Sequence, residues 1–398
     1  MNTKLLGGIL LIVGTAIGGG MLALPIATSQ AGFIHSTLLL FACWFIMTAS
    51  ALLILEVNLW LPANSNIISM AKATLGGTGQ IIAWLSYLLL LYSLLAAYMA
   101  GGGDFLHNLL NIIGIQLPGW LAVLLFAGIL GFIVYLGIRS VDYVNRGLMF
   151  TKLGAFIILV ICILPFVSSS NLIGGEFKYI TASITVAITS FGFATIVPSL
   201  RTYFNNDAVK LRKAILIGSL IPLVAYIAWD FAIMGVIPRD GDTGLIAMLH
   251  SGHSTSAFVN SLSELLNSKV ITYLARIFTS ICLATSFLGV SLGLSDFLAD
   301  GLNVSKKGKG NLIVYSVTFL PPLAIVLLDP KIFISALSYA GIYCVVLLVL
   351  LPALMVWWGR YRKNIAKGTY QVKGGKTLLI FLIIVAIAMI VQGVAAAI

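Results

Sequence analysis

Apolar runs long enough to cross a bilayer recur along the whole chain. A helix needs roughly 20 mostly apolar residues to cross the hydrocarbon core, and the runs in this sequence predict eleven such spans. They lie at about 4–28, 33–60, 80–110, 119–138, 147–168, 180–202, 212–237, 270–298, 311–328, 332–356 and 377–397. The pattern therefore predicts an all-α polytopic membrane protein.

Basic residues fall mainly on one side of these spans. An odd number of spans puts the termini on opposite sides of the membrane, and cytoplasmic loops carry an excess of Lys and Arg. With a cytoplasmic N terminus, 18 of the 23 basic residues lie at inner ends or loops, 4 lie outside, and Arg276 lies within a span. We therefore predict a multi-pass protein of the bacterial inner membrane, with its C terminus periplasmic or extracellular.

Composition narrows the function classes. Hydrophobic residues make up 60% of the 398 positions and charged residues 9%, whereas soluble domains have about 25% charged residues. The net charge of +11 collects at the predicted cytoplasmic face, which indicates contact with anionic lipid and no nucleic-acid partner. The sequence has no evident catalytic set, metal-ligand cluster or repeated selectivity filter. We therefore expect neither an enzyme nor a channel, and no metal or cofactor.

Two spans contain residues that interrupt helices, because Gly and Pro both disfavour helix interiors. Span 1 has Gly14, Gly18, Gly19 and Gly20, followed by Pro25, and span 6 has Gly192 and Pro198. Close helix packing is the alternative explanation for the glycines. Broken helices near the midplane expose backbone groups that can hold the ammonium and carboxylate of an amino acid.

The two interrupted spans are five positions apart, as equivalent spans of two inverted five-helix repeats would be. We predict a first repeat at 1–168, a second at 180–356 and an additional span at 377–397. Residues 238–269 form a long predicted outer loop. It is either a lid or a connector with one or two short helices.

Several motifs, taken in order, resemble those of the hydroxy- and aromatic-amino-acid permeases. They include GTAIGGGMLALP at 14–25, LLILEV at 52–57, SFGF at 190–193, ATSFLGV at 284–290 and TFLPPLA at 318–324. The resemblance implies a LeuT-like fold with a 5+5 inverted repeat plus an eleventh helix, broken helices 1 and 6, and proton symport. It favours L-tyrosine as the substrate. A tryptophan or serine/threonine carrier, or sodium coupling, are the alternatives.

The resemblance also implies a substrate site at the two breaks. The residues expected there are Thr15, Ala16, Ile17, Gly18, Gly19, Gly20, Ser190, Phe191, Gly192 and Phe193. Phe193 would line the aromatic side chain, with ordinary packing as the alternative. Tyr92 in span 3 is expected to bond the substrate carboxylate, with Tyr87 and Tyr98 as competitors. Aromatic carriers of the family usually have His after SFGF, whereas this chain has Ala194.

Ionisable groups within spans are functional hypotheses because their burial in a membrane is costly. Lys152 resembles the lysine that some proton-coupled relatives have at an ion site, with Thr285 and Ser286 as the lining hydroxyls. The alternative is that Lys152 extends to the cytoplasmic headgroups. Glu56 is expected either to accept bonds from the broken sixth helix, as a structural cap, or to carry a proton itself. Five further ionisable groups lie close to predicted span ends, where they are expected to anchor the span at the interface or to form gate ion pairs: Asp104, Asp230, Arg276, Asp296 and Asp300.

Overall fold

The computed structural model describes residues 3–63, 65–306, 308–365 and 370–397. Its α-helices are α1 (Thr3–Ala16), α2 (Gly19–Ala27), α3 (Gly32–Trp60), α4 (Ile67–Ile112), α5 (Gly119–Tyr135), α6 (Ile138–Ile163), α7 (Ser169–Leu172), α8 (Ile180–Ser190), α9 (Val197–Tyr203), α10 (Ala208–Val236), α11 (Leu245–Ser251), α12 (Ser254–Leu266), α13 (Lys269–Leu302), α14 (Lys309–Leu328), α15 (Phe333–Val345), α16 (Leu351–Tyr361) and α17 (Gly375–Ala397). Short 3₁₀ segments occupy Leu164–Phe166, Phe177–Tyr179 and Gly192–Ile196, and a π-helical turn occupies Val346–Leu350.

The number of apolar helical segments agrees with the predicted number of spans. Within the described ranges, nine segments are long and apolar enough to cross a membrane, and the bent pair of α1 and α2 makes a tenth. The apolar α5 is shorter, with 17 residues, and makes the eleventh. Span 1 therefore comprises α1 and α2, span 6 comprises α8 and α9, and span 10 comprises α15 and α16.

Several helices extend beyond the predicted apolar runs. The helix of span 3 begins at Ile67 rather than near 80, and Gly76 divides it with a φ of 81°. Only Gly adopts that left-handed conformation readily. The helix is kinked at this point, so the residues before Gly76 form a helical segment with a different axis. The helix of span 8 continues to Leu302. Helices can project past the hydrocarbon core once polar side chains reach the interface, and hydropathy alone does not mark those ends.

Both predicted breaks are present. In span 1, Ile17 and Gly18 separate α1 from α2, the two helices are bent by 52°, and Gly18 has extended backbone angles. In span 6, α8 ends at Ser190, the 3₁₀ segment Gly192–Ile196 follows, and α9 begins at Val197. Pro198 lies in the first turn of α9, where its missing amide hydrogen leaves no helical bond unmade.

The halves of the two broken spans pack against each other in pairs. On the predicted cytoplasmic side, α1 meets the end of α9, where a Cβ added to Gly8 would lie 2.4 Å from the ring of Phe204. On the other side, α2 meets α8, and the Ser183 hydroxyl donates to the carbonyl oxygen of Ala27 at 2.8 Å. The small residue Gly8 thus permits close approach of two helices.

The predicted outer loop contains two short helices, α11 and α12, and it is attached to span 3. The Asp104 carboxylate on α4 accepts hydrogen bonds from the Thr255 hydroxyl at 2.7 Å and from the Ser256 amide at 2.9 Å. His253 contacts the other carboxylate oxygen through Nδ1 at 2.9 Å. Asp104 therefore caps the first turn of α12 from another span, where a negative charge is favourable.

Candidate functional site

The break in span 1 removes helical partners from several backbone groups, and side chains from distant spans take their place. The carbonyl oxygen of Ile17 accepts a hydrogen bond from Lys152 Nζ at 2.6 Å. The Gly19 amide donates to Ser286 Oγ at 2.8 Å. Backbone groups that lack water at membrane depth must find such partners, so these contacts stabilise the broken conformation.

Lys152 lies inside the protein rather than at the headgroups. Its side chain is 1% exposed, and Nζ is also 3.4 Å from Thr285 Oγ1. The alternative in which it extends to the cytoplasmic surface is therefore wrong. Among the described residues, no carboxylate forms an ion pair with it, so carbonyl and hydroxyl dipoles alone compensate its charge. No group of three or more His, Cys, Asp and Glu residues that could bind a metal ion is found within the same ranges.

Tyr226 on α10 joins the two breaks. Its hydroxyl oxygen lies 2.7 Å from the carbonyl oxygen of Ala16 in span 1 and 2.7 Å from that of Ser190 in span 6. The ring packs edge-on against Phe191, with centroids 5.1 Å apart. Nothing in the sequence distinguishes this residue, because a tyrosine inside an apolar span has no pattern that separates such a bridge from packing.

The tyrosine of span 3 that reaches the break is Tyr98, not Tyr92. The hydroxyl of Tyr92 donates to the carbonyl oxygen of Val317 on α14 at 2.7 Å. Tyr98 is buried, and a Cβ added to Gly19 would lie 2.6 Å from its ring and 3.6 Å from Ser286 Oγ. Tyr98, an expected competitor of Tyr92, is thus the tyrosine of span 3 that lies against the break.

The other expected substrate residues are brought together with one exception. The backbone of Gly18 to Gly20 and the side chains of Ser190, Phe191 and Phe193 are buried at the breaks, and Gly192 is partly buried. Thr15 is the exception, because its side chain is exposed and its hydroxyl donates back to the Leu11 carbonyl oxygen at 2.8 Å. Ser190 likewise bonds within its own helix, to the carbonyl oxygen of Val186 at 3.1 Å.

Glu56 lies apart from the breaks. Its carboxylate is fully buried and pairs with Arg360 on α16. One of its oxygens also accepts the backbone amide of Val372 at 2.8 Å. Glu56 therefore does not make the expected contact with the broken sixth helix. Its partners are Arg360 in span 10 and Val372 in the segment that follows that span.

The architecture is similar to that of a solved transporter. The crystal structure of MhsT in complex with L-phenylalanine aligns with a TM-score of 0.69, covering 99% of this chain and 98% of that chain, at 16% sequence identity. A likeness at this identity concerns the fold, and the predicted LeuT-like fold is confirmed. A sequence model described as the tryptophan/tyrosine permease family matches residues 1–393. The chain belongs to the tryptophan/tyrosine permease family.

Full-length relatives of this permease agree with that assignment. Tyrosine-specific transport system 2 of Haemophilus influenzae is 34% identical over 393 residues, which is 97% of this chain and 95% of the relative. The tryptophan-specific transport protein of the same organism is 34% identical over 408 residues, covering 99% and 96%. The family consists of transport permeases, so this aromatic amino acid permease is not an enzyme.

The remaining ionisable groups of the permease have different environments. Asp296 pairs with Lys306 near the end of α13, as expected of an interfacial residue, and Asp104 caps α12. Asp230 is different, because its side chain has no exposed surface. The prediction that it anchors a span end is wrong.

Proposed function

We propose that this permease imports L-tyrosine together with a proton by alternating access. The observation that carries the proposal is the buried ammonium of Lys152 in contact with the Ile17 carbonyl oxygen and the Thr285 hydroxyl. These atoms belong to spans 5, 1 and 8. A single proton on Lys152 thus acts on three spans that meet at the break.

The geometry of the breaks supports a zwitterionic substrate. The first amides of α2, at Gly19 and Gly20, form the positive end of a helix dipole and suit a carboxylate. The carbonyl ends of α1 and α8, at Ala16 and Ser190, form negative ends and suit an ammonium group. Tyr98 and Ser286 both lie against Gly19, so we include their hydroxyls in the carboxylate site.

Coupling follows from what the proton does to Lys152. While charged, the ammonium donates strong hydrogen bonds to the Ile17 carbonyl oxygen and thereby fastens span 1 to spans 5 and 8. Loss of the proton removes the charge and weakens this link, so α1 can move relative to α6 and α13. An ammonium already occupies the space between the oxygens of Ile17 and Thr285, which supports protons over sodium as the coupling ion.

The tyrosine-specific relative supports tyrosine as the substrate, with Phe193 in the side-chain pocket. Tryptophan is the second candidate, because the tryptophan-specific relative is equally similar at 34% identity. The proposal includes residence in the bacterial inner membrane with a cytoplasmic N terminus. It also includes the inverted repeats at 1–168 and 180–356.

The test is uptake of labelled tyrosine into proteoliposomes under an imposed proton gradient or an imposed sodium gradient. The parent is compared with Lys152→Met, which keeps the length of the side chain and removes its charge. Lys213→Ala is the matched control, since Lys213 is exposed on α10. Unlabelled tryptophan and serine are added as competitors.

We expect uptake that needs the proton gradient in the parent and the control. Lys152→Met should retain tyrosine binding and exchange but lose accumulation against a gradient. Accumulation driven by sodium would overturn the coupling proposal. Stronger inhibition by tryptophan than by tyrosine itself would assign tryptophan as the substrate.

A further inference from the structure

Asp230 is a buried acid that the transport mechanism above does not use. It lies on α10 six residues before Val236, which is about 9 Å along the helix, and its side chain is 0% exposed. Oδ2 is 2.7 Å from Ser36 Oγ on α3. Within the described part of the chain, Oδ1 has no hydrogen-bond partner.

The hydroxyl groups next to Asp230 have too few hydrogens to satisfy an ionised carboxylate and each other. Ser36 Oγ lies within bonding distance of both Asp230 Oδ2 and, at 3.0 Å, Thr28 Oγ1. Thr28 Oγ1 in turn lies 2.8 Å from the carbonyl oxygen of Leu24. A hydroxyl has one hydrogen to donate, so Ser36 can serve only one of its two neighbours. All three contacts are hydrogen bonds only if Asp230 donates a proton of its own to Ser36.

Among the residues that the structure describes, the Asp230 carboxyl has Ser36 as a hydrogen-bond partner and forms no ion pair. Helices α2 and α7, which pack against α10, have no titratable side chains. On α3 and α6, which also pack against α10, His35 contacts the Ala31 carbonyl oxygen, Lys152 contacts that of Ile17, and Glu56 pairs with Arg360, while Cys43 and Cys162 are thiols. Arg239, just after α10, pairs with Asp240. An unpaired buried carboxylate is strongly unfavourable, whereas the neutral acid leaves only a carbonyl oxygen without a partner.

We propose that Asp230 is a second proton-binding site of this permease. Its proton completes the chain Asp230–Ser36–Thr28–Leu24, which joins spans 7, 2 and 1 on the predicted outer side. Water that reaches the carboxyl when the outer side opens releases the proton, and closure of that side binds it again. This site is distinct from Lys152, and its part in transport rests on the proposed proton-coupled function.

A spectroscopic test does not depend on the substrate. Infrared spectra of the full chain in lipid at neutral pH are compared for the parent and for Asp230→Asn, in which the amide can still donate to Ser36. The difference spectrum should contain the carbonyl stretch of a protonated carboxyl group, and Ser36→Ala should shift that band. Thr37→Val is the matched control on the same turn, because the Thr37 hydroxyl is buried without a partner, and should leave the band unchanged. Absence of the band in folded parent protein would overturn the proposal.

A transport test then measures the role of this proton. The ratio of protons to substrate is obtained from the membrane potential at which net uptake stops. Asp230→Asn should lower that ratio and flatten the dependence of uptake on the outside pH, while Thr37→Val keeps both. An unchanged ratio in Asp230→Asn would overturn the coupling role. If no substrate is transported by any variant, the function proposed above fails, and the infrared band still decides whether Asp230 holds a proton.

Discussion

The carboxylate of Glu56 and the guanidinium of Arg360 form a buried two-point ion pair between span 2 and span 10. Arg360 Nε lies 2.7 Å from Oε1, and Nη2 lies 2.5 Å from Oε2. The two side chains are 0% and 8% exposed. This paired geometry matches the planar fork of arginine to a carboxylate, and it indicates a structural link rather than a free proton carrier.

Replacing Glu56 by Gln should strongly destabilise the protein, because it leaves a buried guanidinium without its counter-charge. Breaking such a pair costs about 3–5 kcal/mol. Asp142→Asn is the control, since the Arg146–Asp142 pair is 76% and 52% exposed and such surface pairs contribute about 0–1 kcal/mol. Thermal unfolding in detergent measures both. If Glu56→Gln unfolds like the parent but no longer couples uptake to protons, Glu56 is a proton carrier instead.

Removing the hydroxyl of Tyr98 should weaken substrate binding, whereas removing that of Tyr92 should not. Tyr98→Phe loses the hydroxyl that we place in the carboxylate site beside Gly19. One hydrogen bond contributes about 1 kcal/mol, so we expect roughly fivefold weaker binding. Tyr92→Phe loses only its bond to the Val317 carbonyl oxygen, which affects stability. Binding of labelled tyrosine to purified protein gives the ranking, and the reverse order would return the carboxylate site to Tyr92.

Adding a methyl group to Gly19 should abolish uptake with little loss of expression. The new Cβ would lie 2.6 Å from the ring of Tyr98, so the ring must leave the break. The matched change is Gly128→Ala on α5, where an added Cβ meets no atom within 4 Å. Uptake by Gly128→Ala should equal that of the parent. Normal uptake by Gly19→Ala would mean that the Gly19–Tyr98 contact is not part of the working site.

Docking of the outer loop should weaken as the pH rises. The hydrogen bond to Asp104 raises the pKa of His253 above its ordinary value of 6.5, while partial burial and the positive charge of Lys331 oppose the shift. Because the pKa is raised on docking, the stabilisation is fully present below about 6.5 and is lost as the pH passes the raised value.

The difference in unfolding temperature between the parent and His253→Gln, followed from about pH 5 to about pH 9, measures this contribution. It should be largest at low pH and shrink towards high pH. A difference that does not change with pH would show that His253 contributes without a charge.

Sequence and resemblance together predicted much of this site, and the limits have physical reasons. Hydropathy locates spans because every lipid-facing turn must be apolar, and glycines near Pro25 indicated the break in span 1. Hydropathy does not show which face of a helix points inward. Tyr92 and Tyr98 lie on one apolar span, and only the packing of α4 against its neighbours separates them.

Side chains that bind across spans were the hardest to recognise. Lys152 was found because a charge in an apolar run is conspicuous, and the resemblance suggested its hydroxyl partner. Tyr226 resembles any packing aromatic in its sequence context. Asp230 is close to the end of an apolar run, and its full burial depends on α3 and α2 covering it.

The break in span 1 also has a consequence for how the chain is made. Synthesis and insertion proceed from the N terminus, so span 1 reaches the bilayer long before its later partners. The side chains that satisfy the carbonyl oxygens of Ala16 and Ile17 and the amide of Gly19 come from residues 226, 152 and 286. Until those residues are inserted, unpaired backbone groups in hydrocarbon favour a continuous helix across the first span. The bend at Gly18 therefore becomes stable only late in biogenesis, after most of the chain has been synthesised and inserted.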